Sequence, residues 1–195
     1  WLRNMPKELW DRGQEYSVQY YDLFYTFKEV SNYSKLDSLG RFEIKVPLIN
    51  STEVFMDWKH TYINTVLEPG ETYYLLYDFK SGHSIFMGKK CRLQNELLAH
   101  PIPMIDAEYA GKYENKVPAQ EMMQILESRY KEAEGNLRKQ IEKSASISRC
   151  YQEYAAQYLL CTYASDILQG AYHVKDYVFP QEYVSQVEKI WKEIP

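Results

Sequence analysis

The amino-acid sequence predicts an α+β chain, with an antiparallel β-sandwich or partly open barrel of six to seven strands followed by a helical segment of about three helices. Two observations carry this. From about Gln14 to Met87 apolar residues recur with period two, and turn residues cut the pattern into short runs. After Gly88 the apolar spacing changes to threes and fours. A third sets the scale, since 195 residues hold one large core or two small ones without a disulfide or metal staple. The expected division is an N-terminal extension over 1–13, a β domain over 14–100, a connector over 101–117 and the helical segment over 118–195.

The clearest expected strand is Phe42, Ile44, Val46 and Leu48 alternating with Glu43, Lys45 and Pro47, which places the apolar set on one face. Asp37-Ser38-Leu39-Gly40 supplies the turn before it, entered from a strand over Tyr21 to Val30, and Gly40 is free to take positive φ. Asn50 and Ser51 mark the next reversal. Val54, Met56 and Trp58 then alternate, and His60 to Leu67 forms a further run. Glu68-Pro69-Gly70-Glu71 reads as a β-turn, with Pro69 fixing φ and Gly70 taking the left-handed position. The strand around Tyr73 to Asp78 is amphipathic on both faces and is expected inside a sheet, and Ser81-Gly82 turns the chain again.

A short helix is expected over Arg92 to Ala99, ended by Pro101 and Pro103. Pro118 suits the first turn of a long helix in which Met122, Leu126, Ala133, Leu137 and Ile141 share a face. Ser144 and Ser146 interrupt it. The next helix carries Ile147, Tyr151, Ala155, Tyr158, Leu159 and Ile167 on one side and is expected to stop at Gly170. A last helix follows Pro180 over Gln181 to Glu193, carrying Tyr183, Val187, Ile190 and Trp191.

Charge and motifs exclude several function classes. The net charge is −4 with no basic stripe, so nucleic acid is not an expected partner. No apolar run approaches the roughly 20 residues that span a bilayer, so no transmembrane segment is expected and the chain reads as soluble. The sequence opens at Trp1 without an initiator Met, which leads us to expect a targeting segment upstream of it. Cys91, Cys150 and Cys161 form no C-x-x-C, and two of them, eleven residues apart on one helix, stand too far along its rise to bridge. All three read as small apolar residues. His60, His83, His100 and His173 share no metal-ligand spacing, and only His60 with His83 could meet across strands. Glu127, Glu132, Glu134 and Glu142 interleave with Arg129, Lys131, Arg138 and Lys139 as a solvated helix face does. Neither a phosphate loop nor Gly-x-Ser-x-Gly is present. No catalytic, cofactor-binding or metal residue is therefore expected. Tyrosine is the outlier, at 19 residues, and the candidate ligand contacts are the β-half aromatics Trp58, Tyr62, Tyr73 and Tyr77, placed to stack on a sugar or grip an extended peptide.

Gly40-Arg41-Phe42-Glu43-Ile44, Val54 to Trp58, Val66 to Tyr73 with its Pro-Gly-Glu turn, Phe86-Met87-Gly88 and Leu93-Gln94-Asn95-Glu96 form an ordered set. The set resembles the amino-terminal β domain, with its helical linker, of envelope thioredoxin-like thiol-disulfide oxidoreductases of Bacteroidetes. The resemblance covers roughly residues 14 to 100, more weakly the helices after Pro118. It implies a non-catalytic accessory or interaction module, without cofactor, placed before a redoxin domain. The partners it implies are that downstream thioredoxin-like domain or another envelope protein, and a second copy of the chain. It also implies the periplasm or cell envelope, with a lipid anchor on a removed N-terminal segment. The Cys-x-x-Cys of a redoxin domain is not among the 195 residues, so no catalytic residue carries over. The alternative is a carbohydrate- or peptide-binding envelope module using the four aromatics. An enzymatic alternative would rest on Cys91 alone, near a helix N-terminus.

Overall fold

The computed structural model describes residues 1–10, 15–22, 27–58, 61–103, 119–173 and 181–193. The chain forms two compact units, Trp1–His100 and Pro101–Pro195.

The first unit contains β1 (Leu2–Arg3), α1 (Lys7–Trp10), β2 (Glu15–Asp22), β3 (Lys28–Lys35), β4 (Thr52–Asp57), β5 (Tyr62–Leu67), β6 (Tyr74–Asp78), β7 (His83–Met87) and α2 (Arg92–Ala99). Its seven strands make a three-stranded sheet in the order β1-β6-β7 and a four-stranded sheet in the order β3-β2-β4-β5. Neither sheet closes on itself. Pairing is antiparallel throughout except at β1 and β6, which run parallel. That pair corrects the expectation of a purely antiparallel domain. A parallel neighbour must come from far along the chain, where turn chemistry gives no clue to it.

Residues 1–10, expected as an extension, belong to this unit: Leu2, Met5 and Leu9 are buried in its core. Trp1 O and Arg3 O accept from the amides of Tyr77 and Phe79, both at 3.0 Å, while Leu2 N donates to Gly40 O at 2.8 Å. Gly40 has φ +74°, and a Cβ there would lie 2.6 Å from Leu2 O, so only glycine lets β1 dock. Asp37 holds the turn that presents Gly40. Its Oδ1 accepts from Leu39 N at 2.9 Å and Arg41 N at 2.8 Å, and its Oδ2 accepts from Arg41 Nε at 2.8 Å. The Arg41 amide, and after it the Arg41 side chain and the Leu39 amide, hold the Asp37 carboxyl below its ordinary range.

Two expected strands are corrected. Tyr21 to Val30 is not one strand; Tyr21 lies in the last residues of β2 and pairs with Glu29 of β3, so the chain reverses between them. Residues 41–48 join neither sheet. Phe42, Ile44, Val46 and Leu48 nevertheless sit half-buried against the core, with Arg41, Glu43, Lys45 and Pro47 outward. Alternation reports one-sided burial, which a segment crossing the core satisfies without a ladder, and Pro47 has no N–H to give one. The other turns stand where the residues predicted them. Glu71 N donates to Glu68 O at 3.4 Å across the Pro69-Gly70 turn, and β6 is the central strand of its sheet.

One core takes side chains from both sheets. At its centre the Tyr16 ring stacks on Phe42 at 5.4 Å, and the Trp58 ring meets both edge-on at 5.7 and 5.5 Å. Trp58 Nε1 donates to Ser17 O at 2.9 Å, so the indole is buried with its polar atom satisfied. Helix α2 reaches both sheets. Gln94, fully buried, donates through Nε2 to Val66 O of β5 at 2.6 Å. Asn95 accepts the Phe86 amide and donates to the Phe86 carbonyl, both at 2.8 Å, as a further strand would along β7.

The second unit holds α3 (Ala119–Lys143), α4 (Arg149–His173) and α5 (Gln181–Glu193). Its buried face carries Met122, Leu126, Ala133 and Leu137 of α3, Tyr151, Ala155, Leu159, Leu160, Tyr163 and Ile167 of α4, and Tyr183 and Ile190 of α5. Tyr130 stacks on Tyr163 at 4.8 Å, and Gln140 Nε2 donates to Tyr151 OH at 3.0 Å. As the number rises along α3 its partner's falls along α4, so the two helices are antiparallel. Ser148 starts α4, its Oγ accepting the Tyr151 amide at 3.1 Å. The expected stop at Gly170 is corrected, because α4 runs through it to His173. A mid-helix glycine costs only about 1 kcal/mol, which tertiary packing offsets. Trp191 of α5 is 74% exposed. Pro118 and Pro180 lie outside the described residues, as does most of the expected connector.

Gly70 has φ +75° and open space around its missing Cβ, so a side chain there meets backbone strain and no clash. Gly70→Val is expected to lower stability by roughly 1–3 kcal/mol. Denaturant unfolding checks this, and an unchanged midpoint would remove the turn assignment.

Candidate interaction surface

The outer face of the four-stranded sheet follows from strand register. Core-facing residues of β2 are Tyr16, Val18 and Tyr20, so Ser17, Gln19 and Tyr21 point to the other side. Gln19 has Ser31 of β3 on one flank and Phe55 of β4 on the other, and Phe55 stands opposite Asn64 of β5. One continuous row therefore reads Ser31, Gln19, Phe55, Asn64. A pleat away, Ser17 lies beside Tyr33, and Tyr62 precedes Asn64 by two residues on the same side. In the opposite direction Tyr21 pairs with Glu29.

Tyr21, Tyr33 and Tyr62 are 58%, 60% and 64% exposed on this face. Tyr33 and Tyr62 lie on the two edge strands, three interstrand steps apart, which is roughly 14 Å at the usual strand spacing. The Phe55 and Tyr62 rings lie 6.4 Å apart and tilted. Between the rings the floor is hydroxyl and amide. Asn64 Nδ2 donates to Glu53 Oε1 at 2.7 Å, while Asn64 Oδ1 is buried without a hydrogen-bond partner among the described residues. The charged groups of β2 and β3, including the Lys35–Glu15 pair at 3.9 Å, stand toward the strand ends. The Glu53 carboxylate stands on this face against Asn64, and Glu29 beside Tyr21, so the stacking surfaces lie over amides, hydroxyls and carboxylates.

Of the four aromatics singled out by sequence, this face holds only Tyr62. Trp58 and Tyr77 are core residues, 4% and 6% exposed, and cannot present a ring to a ligand. Tyr77 packs edge-on against Phe79 at 4.8 Å. Tyr73 is half-buried with its ring against Phe86 at 6.5 Å, and burial raises its phenol pKa. Their strands alternate as expected, but alternation alone does not say which parity is inward. Tyr21, Tyr33 and Phe55 escaped the sequence reading. Their signal is the polar company they keep at their parity, Gln19, Ser17 and Ser31, which becomes legible once the β2–β3 hairpin is placed.

The remaining candidates are structural. Cys91 is the N-cap of α2, half-buried, with its Sγ donating to Gly88 O at 3.2 Å. Cys150 and Cys161, expected buried, are exposed on α4. Helix α4 carries apolar residues on its outward as well as its inward side, so periodicity does not mark its outer side. His60 lies outside the described residues, and with it the His60–His83 pairing. Among the described residues no three His, Cys, Asp or Glu side chains converge on a metal-sized site, and no helix is long and apolar enough to cross a membrane. Glu127 pairs with Lys131 and Glu134 with Arg138, both one turn apart at the surface of α3.

One acid in the helical unit stands apart. Asp166 lies on the inward side of α4, 8% exposed, and its Oδ2 is without a hydrogen-bond partner among the described residues. Burial pushes its pKa up to about 6. Tyr163, one turn before it, is also raised, first by burial and then by Glu127. Comparison of the chain with protein-family models, curated proteins and solved structures finds no match.

Because the folded unit binds the Asp166 proton more tightly than the unfolded chain, this residue's contribution is fully present below about pH 4 and is lost as pH rises through about 6. The loss is on the order of 2–3 kcal/mol. Asp166→Asn is expected to melt above the parent at pH 7.5, with the difference shrinking toward pH 4. A difference independent of pH would sink this account.

Proposed function

We propose that the chain is a non-catalytic interaction module, that its two sheets form an open sandwich, and that the outer face of the four-stranded sheet is the contact surface. The observation carrying this is three exposed tyrosines, Tyr21, Tyr33 and Tyr62, on one face with Gln19, Ser31 and Asn64 between them. Rings of this kind stack on the apolar faces of sugars, while amides and hydroxyls bond ring hydroxyls. The carboxylates of Glu53 and Glu29 on this face can accept from sugar hydroxyls and disfavour a polyanion, which would call for Arg or Lys. Titration with a panel of neutral oligosaccharides tests the reading. Tyr33→Ala and Tyr62→Ala should each weaken binding about tenfold, on the order of 1.4 kcal/mol. Tyr74→Ala, as exposed but on the other sheet, should leave it unchanged. Equal loss in all three variants, or no binding to any sugar, refutes the saccharide assignment.

A second reading, an accessory region of an envelope thiol-disulfide oxidoreductase, is supported by the ordered motif set. Its pieces fall at joints of the fold: Gly40 under β1, Gly70 in its turn, Asn95 along β7. This reading places the protein in the periplasm or cell envelope, with a thioredoxin-like domain or another envelope protein as partner. Sequencing the gene beyond the codon for Pro195 decides it. A Cys-x-x-Cys redoxin domain is expected in frame, and a stop codon would end this reading.

A further inference from the structure

Strand register fixes the arrangement of the tyrosine face as well as its membership. Ser31, Gln19, Phe55 and Asn64 form one row across the four strands, and each is half-buried. Every pairing in this sheet is antiparallel, so β3 and β4 run one way and β2 and β5 the other. Tyr33, two residues after Ser31 on β3, and Tyr62, two residues before Asn64 on β5, therefore fall on the same side of the row. Tyr21, two residues after Gln19 on β2, falls on the other side. Glu29 and Glu53 join it there, since they precede Ser31 and Phe55 by two residues. The face is thus polarised. It has an aromatic margin of Tyr33 and Tyr62, a central row without an ionisable side chain, and an acidic margin around Tyr21.

Tyr33 and Tyr62 stand on the two edge strands, roughly 14 Å apart. Stacked rings lie about 4.5–7 Å apart between centroids, so one pyranose ring cannot face both tyrosines. The two rings of a disaccharide, one glycosidic bridge apart, cover one tyrosine and part of the central row. We propose that the site takes a linear neutral glycan longer than a disaccharide, laid across the strands, with one sugar ring on Tyr33, another on Tyr62 and the intervening hydroxyls toward Gln19 and Ser31. The assignment rests on the saccharide reading of this face and adds the length and direction of the ligand. A track along the strands, from Tyr33 past Ser31 to Tyr21, would also cover two rings. The track across them is favoured because it also meets Phe55, whose ring lies 6.4 Å from that of Tyr62, and Asn64, which Glu53 holds at 2.7 Å. Once one tyrosine is engaged, contact with the second is intramolecular, so affinity rises in a step when the ligand becomes long enough to bridge them.

The test is calorimetric titration of the whole chain with cello-, laminari- and manno-oligosaccharides, each from disaccharide to hexasaccharide. In the parent, affinity for the glycan that binds should rise about tenfold in one step within the series. Tyr33→Ala and Tyr62→Ala should each remove the step. Tyr33→Phe, which keeps the ring, and Tyr21→Ala, across the central row, should both retain it. Binding without a step, or a step that survives either Tyr33→Ala or Tyr62→Ala, overturns the bridging track and leaves the saccharide reading in place. A step lost in Tyr33→Phe shows that the ring is not what the sugar meets, and one lost in Tyr21→Ala places the ligand along the strands; either result overturns the track. No binding at any length refutes the track and the saccharide reading together.

Discussion

The paired amide bonds of Asn95 to Phe86 are the constraint on which the β unit depends. A strand at a sheet edge presents N–H and C=O groups that must bond to something if they are buried, or remain open to another chain. Asn95 satisfies one such pair on β7 with both ends of a single side chain. The neighbouring residue, Gln94, satisfies Val66 O on β5 of the other sheet. Two adjacent amides on one short helix thus bind an edge in each sheet, and residues of both sheets can share one core without either sheet closing into a barrel. The cost appears at Gln94 Oε1, which is buried with no hydrogen-bond partner among the described residues. Such a group costs on the order of 1–3 kcal/mol. The direct bond from Nε2 of the same side chain to Val66 O counts against that cost.

The other sheet margin is organised by backbone approach. Leu2 N reaches Gly40 O because residue 40 carries no side chain, and Gly40 stands where it does because Asp37 gathers the amides of Leu39 and Arg41 around one carboxylate. A surface acid in a turn therefore determines whether the first strand can dock. This link joins local turn chemistry to the parallel pairing of β1 with β6, two features far apart in sequence.

These links mark where sequence reading ends. Turns at Gly70 and Ser81-Gly82 were legible because each requires a particular residue type within four positions. The helices were legible because their apolar period is local, with α2 found at its observed limits, whereas the cap expected at Gly170 did not end α4. Residues 41–48 misled because half-burial and strand pairing produce the same alternation. The site was legible only in kind. Tyrosine excess on a β scaffold pointed to an aromatic surface, but which tyrosines face outward depends on the register of β2 with β3 and β4, and of the four named only Tyr62 lies on that surface. Trp58 was drawn into the core by its size and by the carbonyl of Ser17 that takes its N–H.

Helix α4 shows the opposite difficulty. Its inward half is read correctly from Tyr151, Ala155, Leu159 and Ile167, yet its outward half is nearly as apolar, so amphipathicity cannot separate core from surface. Charge can. The long helix before it carries its Glu, Lys and Arg residues on the outside, whereas α4 places its one acid between Tyr154 and Leu168 inside, where Asp166 holds its proton to about pH 6. An acid turned inward is the reverse of what water selects, and burial within the helical unit is what holds its proton.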